Sequence, residues 1–169
     1  MTHAHEVNAF GALALEVADR VERAGNPHGA SVSAALTALY GLARGGSIDV
    51  LAKVVGLSHS GAVRLVDRLA IAGLAERRVG ADGRAVALHL TPEGRRAARR
   101  VLAQREAAIE HVLVPLTAAE RATLASLHER LIAQLTTSRM ERRRVCRLCD
   151  TVACGRGCPT TDTQSRLDG

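Results

Sequence analysis

Bulky aromatic side chains are nearly absent from this 169-residue chain, which contains Phe10, Tyr40 and no tryptophan. Its interior must therefore be built from leucine, valine, isoleucine and alanine. Small aliphatic side chains let helices approach one another closely, and alanine favours helix over strand. The composition predicts a mainly α-helical protein and disfavours a β-sandwich or a β-barrel. The length suffices for one compact domain with an appendage.

Arginine dominates the charge of the chain. The formal net charge is +6, and Lys53 is the only lysine among 23 basic lysine and arginine side chains. The planar guanidinium group binds phosphate oxygens and guanine edges through paired hydrogen bonds. This balance favours double-stranded DNA or another nucleic acid as the partner.

Targeting signals are not visible in the sequence. No run reaches the roughly 20 apolar residues of a membrane-spanning helix, so we expect no membrane partner. The segment Met1 to Glu6 lacks a basic stretch followed by an apolar run, which would mark a secretory signal. We therefore expect a cytoplasmic protein, whose cysteines in a reducing compartment are metal ligands or redox sensors more often than disulfides.

Hydrophobic periodicity predicts six helices and one hairpin. Apolar residues recur at helical spacing over 6–24, 31–43, 48–55, 58–72, 92–114 and 117–144. Between the fourth and fifth helices the pattern alternates, which predicts strands at 74–79 and 84–90. Asp82-Gly83 between the two strands is a hairpin turn signal.

The segment 47–73 predicts a helix-turn-helix. Ser47 and Ser58 suit the N-caps of its two helices, and Gly56 suits the C-cap of the first. The second helix has two faces when its residues are placed about 100° apart. We expect the apolar face to dock on the domain through Ala62, Val63, Val66, Leu69 and Ala70. The opposite face, expected to point outward, carries Ser60, Arg64, Asp67 and Arg68.

The second helix and the following hairpin supply the predicted DNA contacts. The expected base contacts in the major groove are His59, Ser60, Gly61 and Arg64, with Gly61 removing bulk near the base edges. The expected phosphate contacts are Ser58, Arg68, Arg77 and Arg78. Arg84 lies at the hairpin tip, where it can enter the minor groove, and Asp82 would orient it.

These motifs together resemble the MarR family of bacterial transcriptional regulators. The matching runs are LAKVVGLS at 51–58, RLVDRL at 64–69, GLAER at 73–77, DGR at 82–84 and LTPEG at 90–94. The resemblance covers about residues 6–145 and implies a winged helix-turn-helix homodimer. It further implies a DNA-binding part at about 30–92 and intertwined dimerisation helices at about 6–24 and 117–145. A repressor that binds a palindromic operator and responds to a small molecule or to redox state is also implied.

The tail at 146–169 departs from the family pattern, in which the chain usually ends near the last helix. It contains all four cysteines. Cys146, Cys149, Cys154 and Cys158 are separated by two, four and three residues, a spacing that can supply one tetrahedral site of four sulfur ligands. Zn²⁺ is the favoured cofactor, an iron–sulfur cluster is second, and metal-free thiol switching is third. The last alternative is four reduced thiols without a role. The tail would either fix the end of the dimerisation helix or act as a sensor that releases DNA.

Other classes of function have weaker support. The sequence contains no phosphate-binding glycine loop, nucleophile elbow or paired-carboxylate spacing, so we expect no enzymatic activity. His28 would line a pocket for a small-molecule effector, whose identity the sequence does not give. The alternative interpretation is a small redox or metal-handling protein that binds DNA only nonspecifically.

Overall fold

The structure, a computed structural model, describes residues 2–24, 29–79, 86–154, 158 and 160. Its elements in chain order are α1 (His3–Ala24), α2 (Ala30–Tyr40), α3 (Ile48–Val55), α4 (His59–Ile71), β1 (Ala75–Val79), β2 (Val86–Leu90), α5 (Pro92–Leu113), α6 (Ala118–Leu135), α7 (Arg139–Val145), a 3₁₀ turn (Cys146–Leu148) and α8 (Thr151–Cys154). The predicted mainly helical fold with one hairpin is confirmed.

The apolar core lies in residues 30–102, which we call the head. Its largest fully buried aliphatic side chains come from α2, α3, α4 and β2; they are Leu36, Leu51, Val54, Leu65, Val66, Leu69 and Leu88. Ala97 and Ala98 at the start of α5 close the same core. The predicted core of leucine, valine and alanine is therefore what holds the head together.

A small sheet flanks this core. Strands β1 and β2 are antiparallel, with Ala75 opposite Leu90 and Val79 opposite Val86. The amide of Gly45 donates to the carbonyl oxygen of Leu88 at 3.1 Å, so the loop before α3 adds a further backbone pairing. The predicted hairpin is confirmed, while its tip, residues 80–85 with Asp82 and Arg84, lies outside the described residues.

Side-chain caps fix where the helices of the head begin. Ser47, Ser58 and Thr91 each accept a hydrogen bond from the backbone amide three residues later. Thr117 does the same at the start of α6, where Glu120 completes a capping box. Each cap is worth about 1 kcal/mol and satisfies amide groups that the helix leaves unpaired.

Gly94 allows α5 to begin directly against the turn between α4 and β1. A Cβ atom at this position would overlap the carbonyl oxygen of Leu74. The same junction is fixed by the Thr91 amide, which donates to that oxygen at 3.1 Å, and by the Thr91 hydroxyl, which donates to the carbonyl of Gly73 at 2.7 Å. The LTPEG run thus has a packing role in addition to capping.

The prediction of one continuous last helix is wrong. α6 ends at Leu135, and α7 begins at Arg139 with Ser138 as its N-cap. Threonine and serine side chains compete for backbone hydrogen bonds, and the Thr136 hydroxyl donates to the carbonyl of Ile132 at 2.8 Å. The break turns the chain back, so that α7 lies against α3 of the head.

The helices α1 and α6, which we call the arm helices, bury no residue in this chain. α1 packs along α5. Both carry large apolar side chains in solvent, including Phe10, Leu13, Leu131 and Leu135. Within the described residues, no helix combines the length and the apolar content that a membrane span requires.

Candidate DNA-binding surface and cysteine cluster

A tight turn joins α3 to α4 in the predicted helix-turn-helix. Gly56 adopts the left-handed conformation, with φ of 76°, and its amide donates to the carbonyl of Ala52 at 2.9 Å. Ser58 then accepts from the Gly61 amide at 3.1 Å and starts α4. Both caps lie where the sequence predicts them.

The docking face of α4 differs from the prediction at three positions. Leu65 is fully buried and packs with Val66 and Leu69 in the core. Ala70 was expected on this face but is exposed, and Val63 is only half-buried. The buried stripe is therefore rotated toward Leu65, because α2 and α3 cover that side of the helix.

The outward face of α4 is polar and basic. Ser60, Arg64 and Arg68 are exposed, as predicted, and Ser58 and His59 beside them are exposed as well. The Nδ1 atom of the His59 ring lies 2.7 Å from Oδ1 of Asp49 on α3, which orients the ring. Within the described residues Arg64 and Arg68 form no ion pair, which leaves their guanidinium groups available to an external anion.

Two further predicted positions have partners inside the chain. Asp67 was expected to face outward, but it is half-buried and accepts a hydrogen bond from Arg77 at 2.7 Å. This bond ties β1 to α4. Arg78 pairs with Glu76 on its own strand, with Nε 2.9 Å from the carboxylate. Both arginines are exposed, so each retains donors for phosphate.

The space left by Gly61 faces the turn before α4 and not the solvent. A Cβ atom there would lie 3.2 Å from Oγ of Ser58 and 3.6 Å from Cβ of Leu57. The glycine therefore accommodates the N-cap of α4. These two distances do not test the predicted role of Gly61 beside the base edges.

Comparison with known proteins identifies this arrangement. Residues 28–85 match the model of the MarR family. The PcaV transcriptional regulator from Streptomyces coelicolor is 29% identical, with a TM-score of 0.53 over 72% of this chain and 93% of that chain. MarR from E. coli in its apo form is 25% identical, with a TM-score of 0.59 over 72% and 95%. Residues 28–85 of this chain are therefore similar to the winged-helix part of the MarR family. The family consists of transcription regulators and not of enzymes.

A more distant structure matches a larger part of this chain. A mutant of MepR from S. aureus, bound to an oligodeoxyribonucleotide, is 16% identical and has a TM-score of 0.57 over 80% of this chain and 99% of that chain. This likeness concerns the fold alone. No match was found among curated protein sequences.

Sequence reasoning missed a basic recess beside the hairpin. Its cavity of about 420 Å³ is lined mainly by Arg44, Arg78, Arg95, Arg99, His89 and Tyr40. The arginines come from three separate elements, so no local motif links them. The basic run at the start of α5 was the only available signal.

A second cavity of about 290 Å³ lies where α1, α2, α5 and the 3₁₀ turn meet. Apolar side chains such as Val21, Val101 and Leu148 line it, together with the charged residues Glu22, Arg105 and Arg147. His28, the predicted lining residue, lies outside the described residues. Arg147 belongs to the cysteine tail, which the sequence did not place beside this cavity.

The four cysteines line one cavity of about 20 Å³ and form no disulfide. Cys146 is buried, Cys149 and Cys158 are half-buried, and Cys154 is exposed. Within the described residues, no group of three or more Cys, His, Asp or Glu side chains is arranged so that it would hold a metal ion as it stands. The thiols are instead paired, Cys146 with Cys149 and Cys154 with Cys158.

Hydrogen bonding separates the thiols chemically. The hydrogen bond from Cys146 lowers the pKa of Cys149 to about 7, with help from the positive charge of Arg105 and against the effect of burial. The same bond and burial raise the pKa of Cys146. Burial, followed by the bond to Cys158, raises the pKa of Cys154. Cys149 is therefore the most readily ionised of these three thiols.

Proposed function

We propose that this protein is a homodimeric transcription regulator that binds double-stranded DNA through α4. The supporting observation is the exposed polar and basic face of α4, held by a capped helix-turn-helix within a MarR-family winged helix. A helix so mounted fits the major groove, with its N-terminal half at the base edges. The DNA-bound relative with the same fold supports this assignment.

The proposed contacts divide between bases and phosphates. His59, Ser60 and Arg64 lie in the first half of α4, where they would reach base edges. Ser58 and Arg68 on either side would bind phosphates, together with the strand arginines Arg77 and Arg78. Gly61 beside the bases, and Arg84 with Asp82 in the wing, are further proposed contacts.

The arm helices supply the proposed dimer interface. Phe10 and Leu13 on α1 are more than half exposed, at 59% and 53%, and Leu135 on α6 is 66% exposed. Such long apolar stripes gain stability when a second copy covers them. In a two-fold symmetric dimer the two α4 helices would meet major grooves about 34 Å apart, which matches a palindromic operator.

We further propose repression that an anionic small molecule relieves. A dimer bound to an operator obstructs transcription, and the cavity of about 290 Å³ lies between arm helix α1 and head helix α2. Its lining is largely apolar and includes two basic residues, Arg105 and Arg147, against one acidic residue, Glu22. This balance suits a ligand that has a hydrophobic body and a negative charge. Binding there would change the angle between arm helix α1 and the head.

Fluorescence anisotropy with labelled DNA from the upstream region of the gene tests the proposal. We expect much tighter binding to this DNA than to a scrambled duplex, and Arg64→Ala should weaken it about 5- to 150-fold, because a paired guanidinium contact is worth about 1–3 kcal/mol. Arg130→Ala, an exposed arginine on α6, is the matched control and should bind normally. Equal affinity for both duplexes at each salt concentration would favour the nonspecific alternative.

A further inference from the structure

All four cysteines converge on a site that the DNA-binding surface does not use. They line a single cavity together with Arg142 and Thr160. Its volume of about 20 Å³ is that of a single small occupant. We call the described residues 139–154, 158 and 160 the cysteine segment.

Thr160 places a hydroxyl group among the sulfur atoms. Its Oγ1 lies 3.0 Å from Sγ of Cys158 and 3.7 Å from Sγ of Cys146, and it accepts a hydrogen bond from Nε of Arg142 at 3.1 Å. Because Arg142 donates to this oxygen, the hydroxyl proton is free to point at sulfur. Thr160 is only 1% exposed. A buried donor and a nearby guanidinium group both stabilise negative sulfur ligands.

The cysteine segment is docked on the helices that support α4. The Thr37 hydroxyl on α2 donates to the carbonyl oxygen of Arg147 at 2.6 Å. At the end of α2 a Cβ atom on Gly41 would overlap Oγ1 of Thr151, so α8 lies very close to the backbone there. Met140 of α7 packs against the head core. A change in this segment therefore acts directly on α2 and α3.

We propose that Cys146, Cys149, Cys154 and Cys158 bind one Zn²⁺ as four thiolates, and that the zinc-loaded segment braces α2 and α3 for DNA binding. Four soft sulfur ligands select zinc over magnesium or calcium. Binding converts four thiols and one Zn²⁺ into a centre of net charge −2 and releases four protons to solvent. The two thiol pairs must turn toward a common centre on binding, since their present pairing uses thiol protons.

Metal content tests the site independently of DNA binding. Full-length protein, purified under reducing conditions without chelator, is analysed for zinc, iron and labile sulfide. We expect one zinc per chain in the wild type and in the exposed control Arg144→Ala, and its loss in Cys149→Ser. Iron with labile sulfide, four free thiols without metal, or disulfides in the mass spectrum would each overturn the zinc site.

Thr160 is the positioning residue of this site, since it contacts sulfur but is no ligand. Thr160→Val should weaken zinc binding about 10- to 100-fold in competition with a chromophoric chelator. Thr136→Val is the matched control, because Thr136 is equally buried and bonds to the carbonyl of Ile132. Equal zinc affinity in the two variants would overturn the role of Thr160.

The bracing role rests on the proposed DNA-binding function. Chelator-stripped protein should bind upstream DNA about tenfold more weakly than the same sample after zinc is restored, with unchanged helical content. Thr37→Val should retain zinc but lose most of this difference, because it removes the hydroxyl bound to Arg147. Zinc binding without any effect on DNA affinity would overturn the brace alone. Absence of specific DNA binding in both forms would overturn the proposed function instead.

Discussion

The head and the arm helices differ in where their apolar side chains are placed. In the head, Leu36, Leu51 and Leu65 are no more than 1% exposed. On the arm helices, Leu13 and Leu131 are about half exposed, at 53% and 48%. Burial of a leucine side chain contributes about 1.5–3 kcal/mol. The head therefore has an apolar core of its own, whereas the arm helices bury no residue within this chain.

The comparison is sharpest inside α4, where buried and exposed apolar residues share one helix. Leu65→Ala should lower the free energy of unfolding by about 2–5 kcal/mol, because it leaves a cavity in the core. Ile71→Ala is the matched control, since Ile71 is 88% exposed, and should change it by no more than about 0.5 kcal/mol. Urea denaturation measures both, and similar losses would contradict the described core.

The arm helices should respond to charge and not to cavity formation. Leu131→Glu would place a carboxylate in the proposed dimer interface, and we expect the dimer dissociation constant to rise by about 100-fold or more. The circular dichroism of the head should be preserved. Ser126→Glu, exposed and off the apolar stripe, should leave association unchanged. Sedimentation equilibrium distinguishes the two, and an unaltered Leu131→Glu dimer would exclude α6 from the interface.

Replacing a glycine by alanine should change the stability of the protein in opposite directions in the head and on an arm helix. Gly94→Ala in the head forces a Cβ atom onto the Leu74 carbonyl and should destabilise the protein by about 1–3 kcal/mol. Gly11→Ala on α1 meets nothing within 4 Å and should stabilise the helix by about 0.5–1 kcal/mol. Thermal unfolding of both variants tests this, and a stabilised Gly94→Ala protein would refute the close approach.

The smallest predicted effect concerns the capping box of α6. Hydrogen bonds from the backbone amide and hydroxyl of Thr117 hold the pKa of Glu120 below its ordinary value. The stabilisation is therefore present above the pKa of an unfolded glutamate and is lost as pH falls through the lower folded value. Thr117→Ala should raise the pKa of Glu120 in an NMR titration. An unchanged pKa would show that the cap does not form in solution.

Local chemistry explains which features the sequence predicts. Ser47, Ser58 and Thr91 cap helices through amides three residues away, so neighbouring residues suffice to identify them. The docking of the cysteine segment could not be found this way. Its bond between Thr37 and Arg147 joins residues 110 positions apart. Leu65 likewise became the centre of the docking face of α4 only because α2 and α3 cover it.

The break between α6 and α7 determines how arm helix α6 is attached to the head. The chain leaves the head along α5, reverses into α6, where Arg121 bonds to the Leu113 carbonyl at 2.9 Å, and rejoins the head at α7. Helix α6 is thus held at both ends, at its start by the contact with α5 and at its end by the docking of α7 on the head. A rotation of α6 must therefore strain its junction with α5 or its junction with α7. Protease cleavage within 136–138 would release the second end of α6, so that α6 could move without moving the head.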